Sequence, residues 1–486
     1  MSAITHRIEK VFVEVNTGSL ESANFIKNNI SRFLETHVFP KLEQTLDEFN
    51  QAGRVARINS LNLDVVAPRN DYFGSLEIEI TKQFSEKIES LTRPSEIKLH
   101  KEFVNEGIEI IGKEKSREEI FFYFLENGHL PWFGTEQDVT EFLQPLNRGK
   151  SFEDPAFFKR FTHLLKSDKT ITDRFILQFD VETITTFLQK LNPGFRKIES
   201  RFSAVYKELS VSVQKLMLRF YLEIFARYEP AIFLQTARGL AVLLNNEVQG
   251  KNQKIKENFL MKLTEMVTEM DYPRETDKKK LVEVFLGVFS EKIVQSEKTK
   301  KITDEVHTDN NGKDFFDKKT DEIAVLNAGL VLLHPFLKPF FKAVNLLDEK
   351  GQIKNSETQL AVQTLHFLAS GEEDFFEGNL ILEKFLCGAP LKNPVPRESL
   401  LSEKIKEECQ HLLKEIIRQW PALKNSSAEG LQQMFLQRNG KLIQQDRNFK
   451  LIVERKAQDL LLDKLNWNIS LVKIPWRKEL LFVEWK

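Results

Sequence analysis

A polar, charged stretch across residues 295–320 sets the first limit on what this chain can fold into. It runs through Lys298-Thr-Lys-Lys301, Asp309-Asn-Asn-Gly312 and Asp317-Lys-Lys-Thr320. So few apolar side chains cannot bury enough surface to offset the entropy of ordering the backbone. The stretch therefore reads as a flexible linker, open to hinge motion and proteolysis, over residues 294–320. It separates a long amino-terminal part from a shorter, signal-dense carboxyl-terminal one. Hydrophobic residues are 41% of the 486, so both parts can build cores. A chain of this length is expected to form about three domains.

Residues 1–94 read as a strand-helix-strand-helix module. Arg7-Ile-Glu-Lys-Val-Phe-Val-Glu-Val15 is rich in β-branched residues, as strands are. Phe25, Ile26, Ile30, Phe33, Leu34, Val38, Leu42, Leu46 and Phe49 then recur at helical spacing, with a kink expected at Pro40. Asn59-Ser-Leu61-Asn-Leu63-Asp-Val65 alternates with period two, a strand signal, and residues 75–91 return to helical spacing. Residues 95–293 read as a helical array or irregular bundle. Their short amphipathic segments are separated by Gly128-His-Leu-Pro131, Asp154-Pro155, Asn192-Pro-Gly194 and Tyr272-Pro273, with no fixed repeat period.

Residues 321–486 read as a second α+β module. The stripe Ile323, Leu326, Leu330, Leu333 suggests a helix, and His334-Pro335 with Pro339 suggests a corner. Helices are expected over 357–369, 376–387 and 400–420. Ser426-Ser-Ala-Glu429 fits a capping box that starts another, which ends at Gly440 in a left-handed cap. A hairpin over 441–446 and 449–454 follows, turning around Arg447-Asn448. A short helix at 456–465 and two strands near 468–474 and 479–485 close the module. The fold class is predominantly helical α+β, with two small mixed modules flanking a helical middle.

Charge and cysteine usage narrow the function. Seventy basic and 71 acidic residues are intermixed, for a net charge of −1, so nucleic-acid binding is not expected. Cys387 and Cys409 are too few for a disulfide scaffold. The opening Met1-Ser-Ala-Ile-Thr-His-Arg lacks a signal-peptide layout, and no apolar run reaches the ~18 residues of a membrane span. These features predict a soluble protein of a reducing cytoplasm with no stable membrane insertion. Forty phenylalanines against six tyrosines predict thick helix-packing cores.

Motifs that would carry chemistry fail on their own residues. Gly107-Ile-Glu-Ile-Ile-Gly112-Lys113 has phosphate-loop spacing, but Glu114 stands where a magnesium-binding hydroxyl belongs. A calcium loop set on Gly312 would put His307 and Lys318 at ligand positions. Cys409 and His411 face different sides of a helix and do not make a zinc site. His334 reads as a core histidine satisfying a nearby carbonyl. Glu372, Glu373, Asp374 and Glu377 read as a solvated cap at a helix start rather than paired catalytic carboxylates. No catalytic, cofactor-binding or metal-ligating residue is assigned. The remaining candidates are Trp420, Trp467, Trp476 and Trp485, as core or as a protein-docking surface. Polar neighbours of Trp467 (Asn466, Asn468) and Trp476 (Lys473, Arg477) favour partial exposure of that pair.

Several uncommon combinations occur in one order: Asn327-Ala-Gly-Leu-Val-Leu-Leu-His334-Pro335-Phe336-Leu337, Gly371-Glu-Glu-Asp374, Leu382-Glu-Lys-Phe-Leu-Cys-Gly388 and Trp420-Pro-Ala-Leu-Lys-Asn425. Leu465-Asn-Trp467-Asn-Ile-Ser-Leu-Val-Lys-Ile-Pro475-Trp476 and Val483-Glu-Trp485 close the set. With His6-Arg-Ile-Glu-Lys, Phe39-Pro-Lys-Leu-Glu43 and Ile58-Asn-Ser-Leu-Asn-Leu-Asp64 at the amino end, the chain resembles the tape measure proteins of bacterial contractile injection systems. These belong to phage-tail-like particles of the antifeeding-prophage type. The middle region matches only by helical character. The resemblance implies a non-enzymatic assembly or structural role with an influence on tube length. It also implies tube, sheath and baseplate proteins as partners, with an AAA-type ATPase encoded alongside. The alternative is a compact adaptor or assembly chaperone that docks such partners through the carboxyl-terminal module.

Overall fold

A computed structural model describes residues 6–48, 53–66, 73–92, 103–105, 108–147, 154–192, 195–196, 209–227, 230–248, 257, 260–261, 264–265, 267–268, 274–290, 315 and 322–485. The fold is predominantly helical α+β. It divides into two compact units, Met1–Phe121 with Trp132–Phe142, and Phe122–Pro131 with Leu143–Lys486. Most of the stretch read as a linker lies outside the described residues.

In the first unit the long apolar stripe becomes two helices, Leu20–Phe33 and Phe39–Glu48, joined by a π-helical turn at Leu34–Val38. Pro40 explains the turn. Proline has no N–H to continue the ladder, and the wider turn moves the register, so that Phe39 N–H reaches Leu34 O. Phe33, Val38 and Leu42 pack against Phe84 and Ile88 of the helix Gly74–Thr92. Phe49 lies outside the described residues.

The strands differ from expectation. Residues 7–15 run exposed and irregular, because a β-branched run alone supplies no partner for the backbone. The strand β1 is Arg54–Ile58, ahead of the expected 59–65. It pairs antiparallel with β3, Ile108–Gly112, which also pairs with β2, Phe103–Asn105. Leu61 and Leu63 still pack on the helices, although no ladder forms there. β2 and β3 fall where helix was expected, since a short apolar run reads equally as either. Ile108–Gly112 is thus a strand where the phosphate-loop spacing lay. Arg57 links the sheet to the following helix through Glu109 (3.1 Å), Glu119 (2.5 Å) and Ser116 (2.8 Å).

In the second unit, aspartates start successive short helices. Asp154, Asp168 and Asp180 accept from Ala156, Thr170 and Thr183 N–H and cap Pro155–Ser167, Lys169–Gln178 and Val181–Leu191. Phe161, Phe175 and Phe187 meet edge-to-face at 5.0–5.1 Å beside buried Phe157. This is the phenylalanine core the composition predicts. Helices Val211–Arg227, Pro230–Val248 and Glu275–Ser290 continue the array.

The carboxyl-terminal part holds a five-stranded sheet in the order β4-β5-β6-β8-β7. In chain order β4 is Glu322–Val325, β5 Gly440–Gln445, β6 Asn448–Val453, β7 Leu471–Lys473 and β8 Leu480–Glu484. The hairpin and the two closing strands form where the sequence places them to within a few residues; the hairpin turn falls at Asp446-Arg447, one residue before the expected Arg447-Asn448, with Asp446 at φ 50°. One connection was not foreseen: β6 and β8 pair in parallel, joining both pairs into one sheet.

Three local expectations are corrected. The stripe from Ile323 is not one helix: β4 ends at Val325, Asn327 takes a left-handed φ of 54°, and Ala328–Leu333 forms a 3₁₀ turn. His334–Ala343 is helical through Pro335 and Pro339, with Pro335 in the first turn, where the missing N–H has no intrahelical partner to lose. Gly440 opens β5 rather than capping a helix. It is small because a Cβ there would lie 2.7 Å from Ala328 Cβ and 2.8 Å from Ile452 O.

Helices do form at Thr358–Ser370, Ile381–Leu386 and Glu403–Gln419, the last capped by Ser402. Ser427, not Ser426, caps Ala428–Leu431, and a π-helical turn at Gln432–Leu436 continues it.

Candidate functional site

The four candidate tryptophans act first as braces. Trp420 is fully buried at the end of Glu403–Gln419, donates to Leu461 O (3.1 Å) and packs on Phe435 at 4.7 Å. Trp467 is half-buried, donates to Leu332 O (3.0 Å) and meets Phe336 edge-on at 5.2 Å. Trp476, also half-buried, donates to Leu386 O (2.8 Å) and stacks on Phe341 at 5.4 Å. Trp485 sits in the core, and its indole N–H has no hydrogen-bond partner among the described residues. Trp420 and Trp467 lie 6.5 Å apart, centroid to centroid.

Each of the three donating indoles thus ties a loop or strand segment to a carbonyl distant in sequence. The partial exposure expected for Trp467 and Trp476 is present. The most exposed tryptophan, however, is Trp132 of the first unit, at 41%. It was outside the candidate set because it stands apart from the carboxyl-terminal cluster. Its place between Pro131 and Phe133-Gly134, a turn signal, was the available clue.

The acidic cluster separates into two environments. Glu373 meets Lys406 at 2.5 Å and Asp374 meets Arg397 at 2.9 Å near the surface. Hydrogen bonds from those cations lower both carboxyl pKa values. Glu377, read as part of the same solvated cap, is instead fully buried. Its Oε1 accepts from Lys384 Nζ at 2.6 Å and Arg174 Nε at 3.3 Å, and both cations are fully buried too.

Backbone carbonyls complete the cluster. Arg174 also donates to Leu125 O and Lys392 O, and Lys384 to Leu391 O at 2.9 Å. Gln178 accepts from Glu377 N–H (3.0 Å) and donates to Val395 O (2.6 Å). Gly128, at φ +75°, brings a turn so close that a Cβ would stand 2.6 Å from the Arg174 guanidinium.

Two cations share one carboxylate here, so the dipoles of surrounding carbonyls must take up the surplus positive charge. Burial, opposed by Glu377 and reinforced by Arg174, brings the Lys384 pKa down to about 8. Glu377, Arg174 and Lys384 are all fully buried, so the chemistry of this cluster is that of a joint. It fastens the helix Lys169–Gln178 to the segment 377–395, which includes the helix Ile381–Leu386.

The remaining candidates are packing groups. His334 lies against Asn468 O (2.9 Å), as expected, and burial lowers its pKa. Burial pushes the Cys409 thiol up to about 12 and raises Cys387 as well, so both stay protonated as small apolar groups. His411 is exposed whereas Cys409 is buried, so the two do not share a site. Among the described residues no group of histidine, cysteine and carboxylate side chains is arranged to hold a metal ion. Among those same residues no helix is long and apolar enough to cross a membrane.

Comparison with curated proteins and with solved structures gives no match. The family comparison does, and it runs through the helical middle as well as both ends. The profile described as contractile injection system tape measure protein matches residues 5–485, and the chain belongs to that family, with a structural role in a contractile injection system.

Proposed function

We propose that the protein serves its particle as a folded, non-enzymatic assembly component that docks partners through its carboxyl-terminal module, residues 321–486. The observation that supports this reading is the shortness of the helices. The longest described ones, Gly74–Thr92 and Pro230–Val248, have 19 residues each. At 1.5 Å per residue that is roughly 28 Å, against roughly 730 Å for the whole chain as one helix. A component folded in this way is suited to binding tube, sheath or baseplate proteins, or an AAA-type ATPase, in the cytoplasm during assembly.

The half-buried Trp467 and Trp476 are the proposed contacts, since an aromatic ring with one edge in the core and one in water anchors interfaces at small entropic cost. Trp420 and Trp485 would hold the platform beneath them. Trp467→Ala and Trp476→Ala are expected to lose co-purification of a particle component at a temperature where circular dichroism shows each variant folded. Retained co-purification would remove the tryptophans as contacts.

A second reading follows from the family description itself: control of tube length. In-frame deletions within residues 209–290 are then expected to shorten tubes in proportion to the residues removed, measured by electron microscopy. Particles of unchanged length would reject the ruler and keep the assembly component.

A further inference from the structure

Phe315 belongs to the polar stretch ahead of the carboxyl-terminal module, yet its side chain is buried in that module's core. It meets two phenylalanines edge-on, Phe385 at 5.2 Å and Phe449 at 6.2 Å, and these meet each other at 4.8 Å. The Arg477 guanidinium completes the group. It lies 4.1 Å from the Phe385 ring centroid, 5.4 Å from that of Phe449 and 5.7 Å from that of Phe315. Each wall stands on a separate element: Phe385 on the helix Ile381–Leu386, Phe449 on β6, and Arg477 in the connection from β7 to β8. Arg477 donates to Phe385 O (3.2 Å) and pairs with Glu479 (3.2 Å). These contacts join the walls to one another directly, without Phe315. A cation set among ring faces favours an aromatic occupant over an aliphatic one.

We propose that Phe315 is a displaceable internal ligand of this pocket, which binds an aromatic side chain of a partner chain when Phe315 leaves. The sequence around Phe315 is the reason. Lys313-Asp314 stand on one side and Asp317-Lys318-Lys319 on the other, so Phe316 is the one apolar neighbour that could add to the hold. Burial of a single phenyl group supports only about a ten- to hundredfold preference for the closed form. Phe315 comes shortly before β4, which starts at Glu322. A tether that short keeps the ring at high effective concentration, and a partner must overcome it. The contact therefore shuts the pocket to weak aromatic ligands and yields to a tighter or locally concentrated one. The proposal extends the reading of residues 321–486 as a docking module. Its test uses no particle component, so the two readings fail separately.

A fluorescent peptide of residues 311–319 is the probe, titrated with the full chain and followed by anisotropy. The Phe315→Ala chain, with its pocket vacated, is expected to bind the peptide about tenfold or more tightly than the wild-type chain does. The same peptide carrying Phe315→Ala should not bind. Adding Arg477→Met to the Phe315→Ala chain removes the cation and is expected to weaken binding about fivefold. Equal binding to the wild-type and Phe315→Ala chains overturns the proposal, and so does binding to neither. Unchanged affinity in the double variant places the peptide elsewhere on the chain and overturns it as well. Thermal melting read by tryptophan fluorescence covers the remaining case. A Phe315→Ala chain without a cooperative melt makes Phe315 a fixed part of the core, which also overturns the proposal.

Discussion

Glu377→Gln is expected to cost the second compact unit about 3–5 kcal/mol, because removing one partner leaves other buried charges uncompensated. Here the loss is doubled in kind: Arg174 and Lys384 both lean on Glu377 Oε1, and both are fully buried. Chemical unfolding followed by tryptophan fluorescence reads the effect, since Trp420, Trp467, Trp476 and Trp485 all lie in that unit. Glu372→Gln, at the exposed end of the same acidic run, is the control and should stay within about 0.5 kcal/mol of wild type. Equal midpoints for the two variants would show that the cluster carries no stability.

The same cluster gives a signed pH dependence. Lys384 has its pKa lowered from 10.5 to about 8, so between those values the unfolded chain holds more protons than the folded one. Stability from this group therefore rises as pH rises through that window, and below it the folded state carries the cost of a buried ammonium. Lys384→Met should remove that slope, which is seen by comparing unfolding midpoints of the two proteins at pH 7.5 and pH 10 (two settings chosen to bracket a pKa of about 8).

Gly329→Ala is the second large effect, expected to exceed about 3 kcal/mol or to prevent folding of the carboxyl-terminal module. A Cβ at this position would lie 1.7 Å from Phe435 O and 2.6 Å from its carbonyl carbon. Both are backbone atoms, so no side-chain rotation relieves the clash. Phe435 belongs to the π-helical turn Gln432–Leu436, and Ala328 N–H donates to Arg438 O just beyond it at 2.8 Å. The glycine is what lets the 3₁₀ turn Ala328–Leu333 lie against that turn. Gly430→Ala is the matched control. Its Cβ would meet nothing closer than Ser427 Oγ at 3.5 Å, in a helix where alanine is favoured. A thermal melt of Gly329→Ala matching that of Gly430→Ala would refute the close approach.

Much of this fold is legible in local residue order. Helical stripes, aspartate-started helices, the hairpin and the two closing strands all depend on neighbours a few positions apart. Most of the failures share one cause, dependence on a distant partner. Residues 7–15 are β-branched as a strand is, yet the ladder that forms on Arg54–Ile58 is supplied by Ile108–Gly112. Glu377 stands in an acidic run that looks solvated, and its partner Arg174 is 203 positions away. Pro335 looked like a stop, but in the first turn of a helix it obstructs nothing. The tryptophans were found from sequence as unusual residues. Their individual roles follow from which carbonyl each indole reaches, and spacing does not reveal that.

The parallel pairing of β6 with β8 bears on how the protein is made. β8 is the last of the five strands in chain order but lies inside the sheet, between β6 and β7. As the chain leaves the ribosome, β4, β5 and β6 can assemble while β6 still presents a bare edge, which waits for residues 480–484. A product of interrupted translation keeps that edge open and is a substrate for aggregation or proteolysis. Only a chain translated through β8 can close the sheet.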